Sequence, residues 1–191
     1  MMILVSGGAA SGKSEYAEEL LLRLAGAERK TYLATMQRDG MEAEERIARH
    51  KRLRHGKGFQ TIECPANIGR LAGHCGEAIL LECLSNLTAN ELFGVIHSDG
   101  TEIPGTEDLF SSDVANRIVS DVVSLKKQAR LLVVVTNEIF SDGLFYSPET
   151  VQYINELGRV NRMLAKYADA VVEVVYGIPV WRKGKEIMSS R

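Results

Sequence analysis

Residues Gly7-Gly8-Ala9-Ala10-Ser11-Gly12-Lys13-Ser14 constrain this chain more than any other stretch. Their spacing, G-x-x-x-x-G-K-[ST], has a specific physical use that demands a buried strand before it and a helix after it. Both contexts are present. Met2-Ile3-Leu4-Val5 is a short continuous apolar run, the pattern of a strand covered on both faces. From Lys13 to Ala25, the residues Tyr16, Ala17, Leu20, Leu21 and Leu24 recur at the spacing of one helix face. In such a loop the glycines let the backbone curl, so that successive N–H groups point inward at phosphate oxygens. The same donors sit at a helix N-terminus, whose dipole favours an anion. Lys13 is then placed to reach the β- and γ-phosphates, and Ser14 to ligate Mg²⁺. The expected ligand is a nucleoside triphosphate.

The rest of the chain fits an α/β fold with a mostly parallel central sheet flanked by helices. Residues 31–34, 60–63, 78–82, 131–135, 170–175 and 178–181 read as strands, most of them continuous apolar runs rather than alternating ones. Helical patterns fall at residues 41–54, 84–93 and 113–129 and, opened by Ser147 as N-cap and Pro148 at the first helical position, from there to Tyr167. Residues 94–112, with glycines and Pro104, read as an exposed loop or insertion. The 191 residues suit one nucleotide-binding domain.

Composition narrows the function classes. Lys and Arg number 23 against 25 Asp and Glu, a net charge of −2, which argues against a general nucleic-acid binder. No apolar run approaches the ~20 residues of a membrane span, and residues 1–6 are too short for a signal-peptide core, so a cytoplasmic protein is expected. Cys64, Cys75 and Cys83 lack the paired spacing of a zinc site and read as free or buried thiols.

Two further features carry chemistry. Glu82 and Glu138 each stand just past an apolar strand. Ligands of open α/β sheets sit at the carboxyl ends of strands, so either acid is a candidate to hold magnesium; the alternative is a solvated strand-end acid. The stretch from Arg46 to His55 carries five basic residues and two histidines, and on a helix Arg46, His50 and Leu53 or Arg54 share one face. Cationic neighbours favour the neutral, nucleophilic imidazole of His50 and could hold phosphates in line for attack. A charged exposed helix with an idle histidine, in a single-activity phosphate-loop kinase of another small alcohol, is the competing reading, and a nucleotide-gated regulatory module that binds GTP without transferring it is a third.

The phosphate loop is followed in order by Tyr32-Leu33-Ala34-Thr35, Arg46-Ile47 with His50, Thr61-Ile62-Glu63-Cys64, Leu80-Leu81-Glu82-Cys83-Leu84, Val135-Thr136-Asn137-Glu138, Gly158-Arg159-Val160-Asn161 and Val175-Tyr176-Gly177-Ile178-Pro179. In this order and spacing the chain resembles the bifunctional adenosylcobinamide kinase/adenosylcobinamide-phosphate guanylyltransferase family of cobalamin biosynthesis. The resemblance implies a RecA-like phosphate-loop fold, a homotrimer, a corrinoid substrate and two reactions. ATP or GTP phosphorylates the aminopropanol hydroxyl of adenosylcobinamide. GTP then delivers GMP through a guanylylated histidine, matched here by His50, giving adenosylcobinamide-GDP and pyrophosphate. The implied nucleotide contacts are Gly7 to Ser14, Ala34, Thr35, Met36, Lys51, Arg52, Leu53, Arg54, Glu63 and Glu82, with Lys13 catalytic and Ser14 and Glu82 holding Mg²⁺.

Overall fold

The computed structural model describes residues 1–37, 48, 52, 54, 56–96, 102, 103, 105, 113–141 and 145–185. Among these residues seven strands form one sheet: β1 (Met2–Ser6), β2 (Lys30–Ala34), β3 (Phe59–Glu63), β4 (Ala78–Glu82), β7 (Leu131–Val135), β8 (Ala170–Val175) and β9 (Ile178–Lys183). Their spatial order is β3-β2-β4-β7-β1-β8-β9. Neighbours run parallel except β8 and β9, which pair antiparallel.

The three central strands β4, β7 and β1 are buried along almost their whole length, as parallel strands covered on both faces must be. The edges are polar instead: β3 exposes Gln60, Thr61 and Glu63, and β9 carries Pro179 and Arg182. Alternation along each strand sorts side chains between two cores. Ile3, Val5, Leu131, Val133 and Val135 pack with Ala17, Leu20 and Leu21 of helix α1 (Lys13–Ala25). Met2, Leu4, Leu132 and Val134 face the other layer. That layer is built by α2 (Leu84–Phe93), α3 (Asp113–Gln128) and α4 (Pro148–Tyr167). Ser147 caps α4 as expected, its hydroxyl accepting from the Thr150 N–H at 3.4 Å.

Two expectations need adjustment. The stretch 94–112 is not wholly irregular, because β5 (Val95–Ile96) and β6 (Glu102–Ile103) pair as a small antiparallel ladder. Two-residue strands give too short a pattern to be read from sequence. The last strand extends to Lys183 and joins β8 through a tight turn, in which Tyr176 and Gly177 both have positive φ, 52° and 79°. Of the charged stretch, residues 48, 52 and 54 are helical; His50, Lys51 and Leu53 lie outside the described residues.

Register levels the strand ends. Glu63 pairs with Ala34, Ala34 with Glu82, Glu82 with Val135, Val135 with Val5, and Val5 with Val172. The phosphate loop leaves this row immediately after Ser6.

Candidate active site

The phosphate loop is wedged between the two strands that flank β1. On one side the Glu138 N–H donates to Gly7 O at 2.9 Å. On the other, the Gly177 N–H of the β8–β9 turn donates to Ser11 O at 2.9 Å. Only glycine fits at position 7, because a Cβ there would stand 2.5 Å from Ser11 Oγ and 2.7 Å from Val174 O. Gly12 takes φ 87° to turn the chain into α1. Lys13 Nζ reaches back across the loop and donates to Gly8 O at 3.0 Å. Burial pulls the Lys13 ammonium below the usual lysine range, against the opposing pull of Cys83 and the Glu82 carboxylate.

Strand register sets Glu82 level with Val135 and Val5, just before the phosphate loop begins. Its Oε2 accepts a hydrogen bond from the Tyr32 hydroxyl at 3.1 Å. The Tyr32 ring is held on its face by Arg54, whose Cζ lies 3.3 Å from the ring centroid, and on its edge by Phe59, with centroids 6.5 Å apart. Arg54 is only 7% exposed. Close by in sequence, Lys57 pairs with Glu18 on α1. The C-terminal end of the charged stretch is therefore docked on the α1 face of the sheet. Glu138 behaves differently. Its Oε1 accepts from the Phe140 N–H at 3.0 Å and the Ser141 hydroxyl at 2.9 Å, folding the acid into its own loop.

Behind this face the strand-end loops are tied by buried polar groups. The Thr35 hydroxyl donates to Cys83 O at 2.8 Å and accepts from the Cys83 N–H at 2.7 Å. Asn90 donates to Thr35 O and Pro65 O, both at 2.8 Å, and its Oδ1 accepts from Gln37. Asn137 donates to Ser85 Oγ, which contacts the Cys83 thiol at 2.9 Å. Burial pushes the Cys83 thiol up. Burial and neighbouring Cys83 likewise push the Tyr153 hydroxyl on α4 up to about 12. Both groups stay protonated near neutral pH.

These distances bring together much of what the sequence singled out. Lys13 of the Gly7 to Ser14 loop lies within electrostatic reach of Glu82, while Ala34 and Glu63 lie in the same strand-end row as that acid. Met36 follows that row, half-buried. Thr35 is fully buried and its hydroxyl is committed to Cys83, so its side chain braces the site from beneath. Arg52 is exposed. Among the described residues no group of three or more His, Cys, Asp or Glu side chains gathers as a metal cage. One carboxylate with a serine hydroxyl is instead the donor chemistry of Mg²⁺, which keeps waters and shares phosphate oxygens. A separate cavity of about 220 Å³, lined by Arg29, Leu71, Cys75 and Glu77 among others, opens at the opposite ends of the strands.

Residues 3–181 match the family described as cobinamide kinase / cobinamide phosphate guanyltransferase. This chain belongs to that family. It is similar to the bifunctional adenosylcobalamin biosynthesis protein CobU of Salmonella typhimurium, with 35% identity covering 94% of this chain and 98% of the relative. CobU of Escherichia coli is 33% identical with the same coverage. The bifunctional adenosylcobalamin biosynthesis protein CobP of Pseudomonas aeruginosa is 26% identical, covering 98% of this chain and all of its own length.

Within this cobinamide kinase/guanyltransferase chain, several motifs now have local reasons. In Gly158-Arg159-Val160-Asn161, Gly158 lies against the Phe140 ring, 3.4 Å from where a Cβ would stand, an ordinary packing distance. Arg159 donates to Glu156 Oε1 at 2.6 Å, Val160 is core, and Asn161 Oδ1 accepts the Thr136 hydroxyl at 2.7 Å. The motif thus anchors the end of β7 beside the phosphate loop. Sequence reasoning missed Tyr32 and Asn90 as site residues. A tyrosine before Leu33-Ala34-Thr35 reads as strand, and an asparagine within α2 reads as a helix polar residue; their partners lie too far along the chain to show.

Proposed function

We propose that this chain performs both steps of cobinamide activation: phosphorylation of the aminopropanol hydroxyl of adenosylcobinamide by a nucleoside triphosphate, and GMP transfer from GTP to the resulting phosphate. The observation that carries the reading is the junction at Tyr32. It joins Glu82, beside the phosphate-loop lysine, to Arg54, four residues after His50. The family membership and the near-complete coverage of the bifunctional relatives support the same reading.

For the kinase step, Gly7 to Ser14 hold the triphosphate and Lys13 neutralises charge that builds on the transferred group. Ser14 and Glu82 hold Mg²⁺, which supplies charge neutralisation on the phosphate oxygens when bound. For the guanylyl step, an imidazole nitrogen of His50 attacks the α-phosphorus of GTP. The bond to the bridging oxygen breaks, and pyrophosphate leaves with that electron pair. A phosphate oxygen of adenosylcobinamide phosphate then displaces the imidazole from phosphorus, breaking the P–N bond and restoring His50. Lys51, Arg52, Leu53 and Arg54 flank the nucleotide, with Ala34, Met36 and Glu63 lining it from the strand ends and buried Thr35 bracing them from beneath.

The test is incubation with α-labelled GTP and Mg²⁺ followed by mass spectrometry of the modified peptide. Wild type is expected to carry acid-labile GMP on His50, and His50→Ala to carry none. Label persisting on the variant would refute the assignment. An unlabelled wild type that still phosphorylates an alcohol would leave a single-activity kinase.

A further inference from the structure

We propose that Tyr32 is a positioning residue with two separable duties, one for each of its chemical surfaces. Its hydroxyl orients Glu82, and its ring face seats Arg54, which follows His50 by four residues in the sequence. The inference rests on the proposed roles of Glu82 and His50 and adds a residue to them.

The geometry is specific. On adjacent strands Tyr32 lies opposite Leu80 and Ala34 opposite Glu82, so Tyr32 and Glu82 are diagonal neighbours on one face of the sheet. A long side chain spans that diagonal, and here it ends in the 3.1 Å hydrogen bond to Oε2. The bond occupies one carboxylate oxygen, leaving the other for a cation or a nucleotide. On the ring face, the Arg54 guanidinium at 3.3 Å makes a desolvated cation–π contact, with Tyr32 itself only 5% exposed. Phe59 packs edge-on and fixes the ring plane. The ring can tilt little without losing one of these three contacts, so its hydroxyl and its face are held together. Hydrogen bonds that orient metal-binding carboxylates matter to function by about 10–100-fold.

The two duties separate under substitution. Tyr32→Phe removes only the hydroxyl. It should raise the Mg²⁺ concentration for half-maximal rate about 10-fold in both steps, with rates recovering at saturating Mg²⁺. Tyr32→Leu removes the face as well. It should in addition slow covalent guanylylation about 10-fold at saturating Mg²⁺, a loss that metal does not restore. Binding is read independently of turnover by electron paramagnetic resonance titration of Mn²⁺ into protein carrying a non-hydrolysable GTP analogue; both variants should bind Mn²⁺ more weakly by the same factor. Circular dichroism confirms that each is folded. Wild-type metal dependence in Tyr32→Phe, or guanylylation in Tyr32→Leu equal to that in Tyr32→Phe, would overturn the proposal. Equal, metal-insensitive losses in both variants would do the same by reducing Tyr32 to packing. If wild type itself forms no guanylated histidine, the reading of His50 fails, while the Mn²⁺ titration still decides the duty of the hydroxyl.

Discussion

Lys13 shows how much a single side chain is asked to do. Its ammonium is desolvated by burial, which outweighs the opposing pull of Cys83 and Glu82, and it donates to Gly8 O within the loop that holds it. If one cradle serves both nucleotides, Lys13→Ala should lower kinase and guanylylation rates alike, by at least about 100-fold each. Separate steady-state assays of the two steps check this, and wild-type-like kinase turnover would rule it out. At this scale the sequence was readable wherever chemistry is written in consecutive residues. Gly7, Gly12 and Lys13 declare themselves because spacing alone defines the loop. Glu82 and Glu138 could not be separated, since both are acids at strand ends. What separates them is that Glu138 is held by its neighbours Phe140 and Ser141, whereas Glu82 is met by a tyrosine from 50 residues away.

At the scale of elements, the strands and helices follow from apolar runs and caps. Their lateral order does not, because it depends on which strand docks beside β1. The insertion of β7 between β4 and β1 brings Glu138 N–H onto Gly7, a contact no local pattern announces. Asp169 performs a comparable joining role at the start of β8. Its Oδ2 accepts from the Met2 N–H at 2.6 Å and lies 3.4 Å from Lys126 Nζ on α3. Partial burial pushes this carboxyl up, but the Met2 N–H and the Lys126 ammonium together outweigh it and hold it below the usual carboxylate range. A depressed carboxyl contributes stability above its unfolded value and loses it as pH falls through the folded one. Asp169 is 40% exposed, so solvent screens the pair and the contribution is about 1 kcal/mol or less. Asp169→Asn should therefore lower the melting temperature by a few degrees, roughly 2–4 °C, at pH 7. The gap from wild type should stay constant down to about pH 5 and close below about pH 4. Thermal melts of both proteins across that range test the sign, and a gap that widens in acid would contradict it.

For the whole molecule, the sheet presents its phosphate loop, Glu82 and the docked end of the charged stretch along one rim; among the described residues α2, α3 and α4 cover one face, and α1 with that docked end lies on the other. No helix among the described residues is long and apolar enough to cross a membrane. The mostly parallel architecture was legible from alternating strands and helices, whereas assembly was not, since no periodicity marks a surface that meets another copy. The homotrimer implied by family resemblance is expected to sediment at three times the 21.1 kDa of one chain. Analytical ultracentrifugation at micromolar concentration decides this, and a stable monomer would reject it. The β8–β9 hairpin carries a last consequence. Because Gly177 braces Ser11, the grip on a triphosphate depends on residues synthesised long after the glycines that form it. A nascent polypeptide still tethered to the ribosome, with this hairpin inside the exit tunnel, has its anion nest written but not yet shaped, and competence for nucleotide waits until the hairpin emerges.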